Sequence, residues 1–294
     1  MKTILMGCSG WISHYLASEF TKRAPAASMV GTYHKKKPAF DFPMMALSIS
    51  DHHRMLDLMT REEPTAIVNL TRGESEADFN LHKKLIEFSN SGGTHYVYAS
   101  SFNACDAQLV EDHLETELPS AASEYGKFKA SCERALLESA KKFAIFRFAA
   151  THGWAPNRPS RTESFLKKIA SGEKVVTPRG IIQNRTAVND LAAMMAAIVV
   201  AGGEGIFHLG TSDASDEVDF LQRLAAEFGY DRDVVVPGEH LPTNANMVPG
   251  KIYKMFGDEF RRTESDTILQ VASMPELSPY RSPWVRRNSS PRNL

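Results

Sequence analysis

The stretch KTILMGCSGWIS, residues 2–13, decides how the rest of the chain is read. Its first five residues form a short apolar run that stops at Gly7. A strand buried on both faces has this composition. Gly7 and Gly10 follow directly, and a helical pattern begins at Trp11. Glycine permits a tight turn and lets backbone N–H groups approach an anion at a helix N-terminus. Ser13 stands where a third small residue would let helix and strand pack closely. The order strand, glycines, helix, strand predicts a phosphate-holding loop of a dinucleotide-binding unit, against the plain strand–helix turn that two glycines alone would indicate. One lysine before a short apolar run also fits a stunted leader, but the glycine turn and polar helix favour a strand.

Outward from this stretch the chain alternates strand and helix. Helix is expected over 11–23, strand over 28–33 and 44–49, and helix over about 51–61. Strand over 65–70, helix over 75–90 and strand over 94–100 follow. A helix carrying YGKFK (125–129) and a strand over 143–148 complete the first half. Short runs rich in Val, Ile and Phe, separated by helices, predict an α/β fold: a doubly wound parallel sheet of the NAD(P)-binding Rossmann type. The expected core spans 1–150. After THGWAPNRPS (151–160) the rhythm loosens. Helices at 162–171, 187–201 and 216–229, a strand near 174–177 and the run GIFHLG (205–210) predict a smaller C-terminal substrate lobe over 151–280. Residues 281–294 hold four arginines and no acid, and are expected to form a flexible tail.

Composition excludes several classes. The 294 residues carry 34 Lys+Arg against 35 Asp+Glu, a net charge of −1, so no global field points to nucleic acid or a membrane surface. No run is long and apolar enough to span a bilayer. Cys8, Cys105 and Cys132 lack metal-like or redox-pair spacing and are expected to be free thiols in a reducing cytoplasm. Asp51, His52 and His53 are consecutive on a helix and point in different directions, so no metal is expected there.

The second strand runs into GTYHKKKPAF, with no Asp or Glu between Glu19 and Asp41. NAD-preferring sites place a carboxylate near here for the ribose 2′-hydroxyl. His34, Lys35, Lys36 and Lys37 suit a 2′-phosphate instead, so NADP is expected over NAD.

Tyr125 and Lys129 are four residues apart and share a helix face. A free phenol has a pKa near ~10, and a neighbouring ammonium favours the phenolate. The pair suits proton exchange with a carbonyl or alcohol oxygen while hydride moves at carbon. Ser100 and Ser101 end the fifth strand, where open α/β sheets place ligands, and a serine hydroxyl there can orient a carbonyl.

These motifs resemble the extended short-chain dehydrogenase/reductase family. MVGTYHKK, LSISDHHRMLDLM, PTAIVNL, YVYASS, YGKFKASCE and TAVNDLA are most similar to its dTDP-4-dehydrorhamnose reductase-like group, from residue 1 to about 230. The resemblance implies Ser101, Tyr125 and Lys129 as the catalytic set. It implies cofactor contacts from Gly7, Ser9, Gly10, Trp11 and Ile12, and from Asn69, Leu70 and Thr71, beside His34, Lys35 and Lys36. Lys129 would also hold the nicotinamide ribose. Ser101, Phe102, Asn103, His152 and Arg185 are the expected substrate contacts, with Arg158 and Arg161 as further cations for a nucleotide-sugar diphosphate. The chain departs from the pattern at Ser13, at NLTRGES after the fourth strand, and at Ala150, where rhamnose reductases tend to carry tryptophan.

The expected protein is an NADP-dependent reductase or epimerase acting on a small-molecule substrate such as a nucleotide sugar, with room for a homodimer. The alternative from another class is a non-catalytic NADP-binding regulatory or scaffold protein of the same fold.

Overall fold

The computed structural model describes residues 1–283. Seven parallel strands form the main sheet: β1 (Lys2–Met6), β2 (Ser28–Tyr33), β3 (Met44–Ala46), β4 (Ala66–Asn69), β5 (His95–Ala99), β6 (Phe143–Arg147) and β10 (Gly205–His208). Their spatial order is β10-β6-β5-β4-β1-β2-β3. The order reverses beside β1, at the switch point where doubly wound sheets bind ligands. The expected α/β class is what the chain adopts. Ile4, Leu5, Ile67, Val68, Val97 and Ile145 are all fully buried, which is why these strands show no polar alternation.

Helices α1 (Trp11–Arg23), α2 (His52–Glu62), α3 (Glu76–Gly92) and α4 (Glu124–Ser139) cover the sheet. Their starts are encoded locally. Asp51 caps α2 by accepting from Arg54 N–H, Ser75 and Asp78 form a capping box on α3, and Ser123 accepts from Gly126 N–H at the start of α4. From the second half, α6 (Val188–Val200) returns to the sheet: Leu191, Met195 and Ile198 join the cluster containing Leu16 and Phe20 of α1.

Most remaining elements pack around a second core: β7 (Ala150–His152), α5 (Arg161–Ala170), β8 (Val175–Gln183), β9 (Arg185–Ala187), β11 (Ser215–Asp216), α7 (Glu217–Glu227), β12 (Val235–Asn244) and α9 (Glu264–Ala272), called the second lobe below. Helix α8 (Gly250–Phe256) instead packs on β10, with Ile252 in the cluster of Leu16 and Phe20. Strands β11, β8 and β12 make a three-stranded sheet, and β7 pairs with β9. Two expected strands change length. The third ends at Ala46 rather than residue 49, and the strand expected near 174–177 runs on to Gln183. Of the expected tail, Arg281 donates to Ala272 O (2.8 Å) and Ser282 N–H to Phe228 O (2.9 Å); residues 284–294 lie outside the described residues.

Candidate active site

The glycine turn is built by its own backbone. Gly7 has φ +85°, a region that favours glycine, and an added Cβ would sit 3.2 Å from the Leu70 carbonyl and Thr71 nitrogen. Gly7 O accepts from Gly10 N–H (2.9 Å) and from Ser13 Oγ (2.9 Å). The serine at the third small position therefore bonds back into the turn instead of spacing helix from strand. Helix α1 begins at Gly10 with no side-chain cap and no acid in its first turn, so its N-terminal N–H groups suit an anion. Ser9 Oγ donates to Lys36 O (3.1 Å), tying the basic loop to the glycine loop. Among the described residues Lys35, Lys36 and Lys37 have no ion-pair partner. Cys8 between the glycines is buried, and burial pushes its thiol up to about 12, leaving it inert.

A cleft of about 470 Å³ runs from this turn to the end of β5. Gly7, Ser9, Gly10, Trp11, Ile12, His34, Leu70 and Thr71 line it, as do Ser101, Tyr125 and Lys129. The chain thus gathers most of the expected cofactor residues and all three expected catalytic ones on one cavity. Its glycine cradle and bare helix start fit the phosphates of a dinucleotide.

Gly126 answers why a glycine stands between tyrosine and lysine in YGKFK. An added Cβ would collide with the Asn103 carbonyl oxygen and lie 2.8 Å from Ser123 Oγ. Only glycine lets α4 press against the segment after β5, and that contact brings Tyr125 beside Ser101. Asp106 secures the approach by accepting from Ala122 N–H (2.6 Å) and Ser123 N–H (3.2 Å). Lys129 is 2% exposed, and its Nζ donates to Ala99 O (3.0 Å). Nζ lies 4.6 Å from the Tyr98 ring centroid and 5.7 Å from that of Tyr125. Burial lowers the Lys129 pKa to about 8. Burial raises that of Tyr125, while the Arg72 charge and a Ser101 hydrogen bond pull it back down.

The two serines divide their work. Ser100 Oγ donates to Glu133, which is fully buried and paired with Arg147 (2.6 Å). This staple joins β5, β6 and α4 beneath the cleft. Ser101 Oγ instead accepts from Asn103 N–H (3.2 Å) and donates to Asn103 Oδ1 (3.1 Å).

Several expected residues do not line the cleft. Lys35 and Lys36 are exposed beyond its rim. Asn69 is buried behind it, donating to Tyr96 OH (3.0 Å) and accepting from Thr71 N–H (3.0 Å), so it shapes the turn. Phe102 packs edge-on against His113, and Asn103 braces Ser101. Arg185 and His152 require correction as substrate contacts. Arg185 is 0% exposed and held by Glu217 (2.8 Å), Glu264 (2.6 Å) and the carbonyls of Gln183 and Ser215. His152 is buried between Thr162 and Phe220, and burial lowers its pKa to about 3. Both belong to the interior of the second lobe. Arg161 pairs with Glu217 (2.6 Å).

Other lining residues went unread in the sequence as site residues. Thr32 and Tyr33 end β2, and Phe148 and Ala149 follow β6. The rule that ligands meet the carboxyl ends of parallel strands selects these positions. Arg72, inside the departing NLTRGES turn, lines the cleft as well, and so does Arg158, which was expected as a cation for the substrate. Arg158 arrives on a loop fastened across it, where Asn157 Nδ2 donates to Ser9 O (3.0 Å) and Tyr15 OH to Trp154 O (3.0 Å). Elsewhere, Cys105, His113 and Glu117 bring potential metal-ligand atoms within 4.8 Å of one another. His113 is already engaged by Glu117 (2.8 Å) and Asn244 O (3.2 Å), fastening the long loop before α4.

A parallel sheet with its glycine turn at the switch point, and a tyrosine–lysine pair across the same cleft, define an extended short-chain dehydrogenase/reductase architecture. The RmlD substrate binding domain family matches residues 1–249, and the chain belongs to that family. It is similar to the probable low-salt glycan biosynthesis reductase Agl14 of Haloferax volcanii, 20% identical over 80% of this chain and 83% of that one. Among solved structures it resembles dTDP-4-dehydrorhamnose reductase from Bacillus anthracis in complex with NADP, with a TM-score of 0.73 and 15% identity over 92% of this chain and 98% of that one. It also resembles the Bordetella bronchiseptica enzyme WbmH in complex with NAD+, with a TM-score of 0.74 and 17% identity over 92% of this chain and 96% of that one.

Proposed function

We propose that this enzyme is an NADP-dependent reductase or epimerase acting on a carbonyl or hydroxyl of a nucleotide sugar or similar molecule. The observation that carries the reading is one cleft lined at one end by the glycine turn and at the other by Ser101, Tyr125 and Lys129. The reductase relative and the NADP- and NAD-bound structures support a nicotinamide cofactor. The unpaired basic loop and the absence of a nearby carboxylate favour NADP.

In this reading Gly7, Ser9, Gly10 and the start of α1 hold the cofactor diphosphate, with Trp11 and Ile12 beside it. Leu70 and Thr71 line the adenosine side, and His34, Lys35 and Lys36 hold the 2′-phosphate. Arg158 reaches the phosphates from the second lobe. The bound cofactor supplies or accepts hydride at the substrate carbon. Tyr125 OH gives its proton to the carbonyl oxygen during reduction and removes one from the hydroxyl during oxidation. Lys129 holds a positive charge beside that phenol and favours its ionisation. The Ser101 hydroxyl orients the reacting oxygen.

Titration of wild type and a Lys35→Glu/Lys36→Glu variant with NADPH and NADH, read by nicotinamide fluorescence, tests this. Wild type should prefer NADPH, and the variant should lose about tenfold or more for NADPH with little change for NADH. Equal loss for both nucleotides would overturn NADP preference. Binding of neither by wild type would overturn the dinucleotide reading itself.

A further inference from the structure

Tyr125 has a second cation against its ring. The Arg72 guanidinium carbon lies 5.2 Å from the ring centroid, beside Lys129 Nζ at 5.7 Å. Both line the cleft, but Lys129 is 2% exposed whereas the Arg72 side chain is 71% exposed.

The turn that carries Arg72 is held in place. Before it, Thr71 N–H and Oγ both donate to Asn69 Oδ1, at 3.0 and 2.6 Å. After it, the N–H groups of Glu74 and Ser75 both donate to Asp78 Oδ2, each at 2.9 Å. Gly73 between them has φ +55° and lies against the Phe128 ring of α4, where an added Cβ would be 3.1 Å away. The arginine is therefore positioned relative to the helix that bears Tyr125.

Its charge is balanced by Glu74 on the same turn, whose side chain is 52% exposed. An ion pair this open contributes little and exchanges readily. The Glu74 carboxylate also marks the chemistry that the guanidinium takes: a planar anion, held by a fork of N–H donors. The cofactor diphosphate has the glycine turn and α1, and the 2′-phosphate has the basic loop. Arg72 stands instead at the tyrosine end of the cleft, where the reacting carbon must lie.

We propose that the substrate carries a carboxylate close to its reacting carbon, and that Arg72 binds it in place of Glu74. The inference rests on the reading of Tyr125 as the proton donor and names a class within it: sugar acids rather than neutral sugars. The other source of an anion here is the diphosphate shared by all nucleotide sugars.

Calorimetric titration of protein saturated with NADP+ separates the two, using UDP-glucose and UDP-glucuronate as probes. They share the nucleotide and differ by the carboxylate. Wild type should bind the uronate about tenfold tighter or better, consistent with one charge-assisted bidentate contact. Arg72→Gln should erase the difference, and Glu74→Gln, which removes the competing carboxylate, should preserve or enlarge it. NADPH affinity should stay within about twofold in both variants, because neither side chain is assigned to the cofactor. No preference in wild type, including no binding of either sugar, overturns the proposal. Equal weakening of both sugars by Arg72→Gln assigns the arginine to the diphosphate, and weakened NADPH assigns it to the cofactor; either overturns it. Wild type that binds neither nicotinamide nucleotide removes the functional reading first, and this inference with it.

Discussion

Beneath the seven-stranded sheet the interior is mostly hydrocarbon. Leu5, Val68, Val97, Phe146, Met195 and Phe207 pack in one cluster, and Ile4, Ile67, Leu85 and Ile145 in another. The second lobe has an apolar cluster too, around Phe220, Leu224 and Val271, but a chain of charges runs beside it. Arg185 lies between Glu217 and Glu264, with Arg161 on one carboxylate and Arg223 on the other. In the first region the fold depends mainly on area removed from water, with the buried Glu133–Arg147 pair set beneath the cleft. In the second, opposite charges at or near zero exposure hold β9, α7 and α9 together. Residues with the same chemistry therefore have different consequences. A buried Lys129 lines the cleft, while a buried Arg185 is enclosed by two carboxylates, two backbone carbonyls and the Phe220 ring.

Two substitutions break this comparison most directly. Tyr125→Phe removes one oxygen from the cleft and nothing from either core. Turnover should fall by roughly 10²–10⁴, the range for a lost general acid, with melting temperature and NADPH affinity close to wild type. Full turnover in a steady-state assay with any accepted sugar nucleotide would end the tyrosine's role as the proton donor. Arg185→Ala should do the reverse. It takes the buried guanidinium from two carboxylates and leaves them only the part-exposed Arg161 and Arg223, a cost of about 3 kcal/mol. Thermal unfolding should shift down by roughly 10 °C. Below the new transition, the fraction still folded should bind NADPH normally. A selective loss of substrate affinity at unchanged stability would return Arg185 to the substrate site.

The same contrast explains what was legible in the sequence. The glycine turn, the parallel strands and the tyrosine–lysine face follow from short local patterns: apolar runs, cap residues and a spacing of four. The second lobe was legible only in part: the helices expected at 162–171 and 216–229 appear as α5 and α7, but its longest strand offered no such pattern. Strand β12 contains Pro237, Gly238 and Pro242, runs along the edge of its small sheet and shifts register twice, so neither alternation nor an apolar run marks it. Arg185 looked like a ligand because an arginine advertises anion binding wherever it stands. Its partners, Glu217 and Glu264, lie 32 and 79 residues away, and no local reading connects them. Ser100 and Ser101 were adjacent in sequence, and only the packing of Glu133 beneath the sheet edge separates a staple from a site residue. Gly126 was visible from the start, but its reason, the Asn103 carbonyl, belongs to another element.

The smallest effect expected is also the one that compares the regions within a single curve. In the direction of carbonyl reduction, kcat/KM reports ionisations of the free enzyme. Lys129 must keep its proton to hold charge beside Tyr125, and Tyr125 must keep its own to donate it. Burial lowers the Lys129 pKa to about 8, whereas burial raises that of Tyr125. The protonated forms prevail at low pH, so kcat/KM should be level through neutrality. It should decline above about pH 8, by at most about tenfold per unit for a single ionisation. The buried histidines of the second half should add nothing to that range. His152 and His208 are both lowered to about 3 by burial, and stay neutral throughout. An acid-side limb between pH 6 and 7 that disappears in His152→Gln would tie the interior of the second lobe to the reaction. A single alkaline limb that moves upward in Lys129→Arg, whose charge does not titrate, would confine the chemistry to the cleft between the glycine turn and α4.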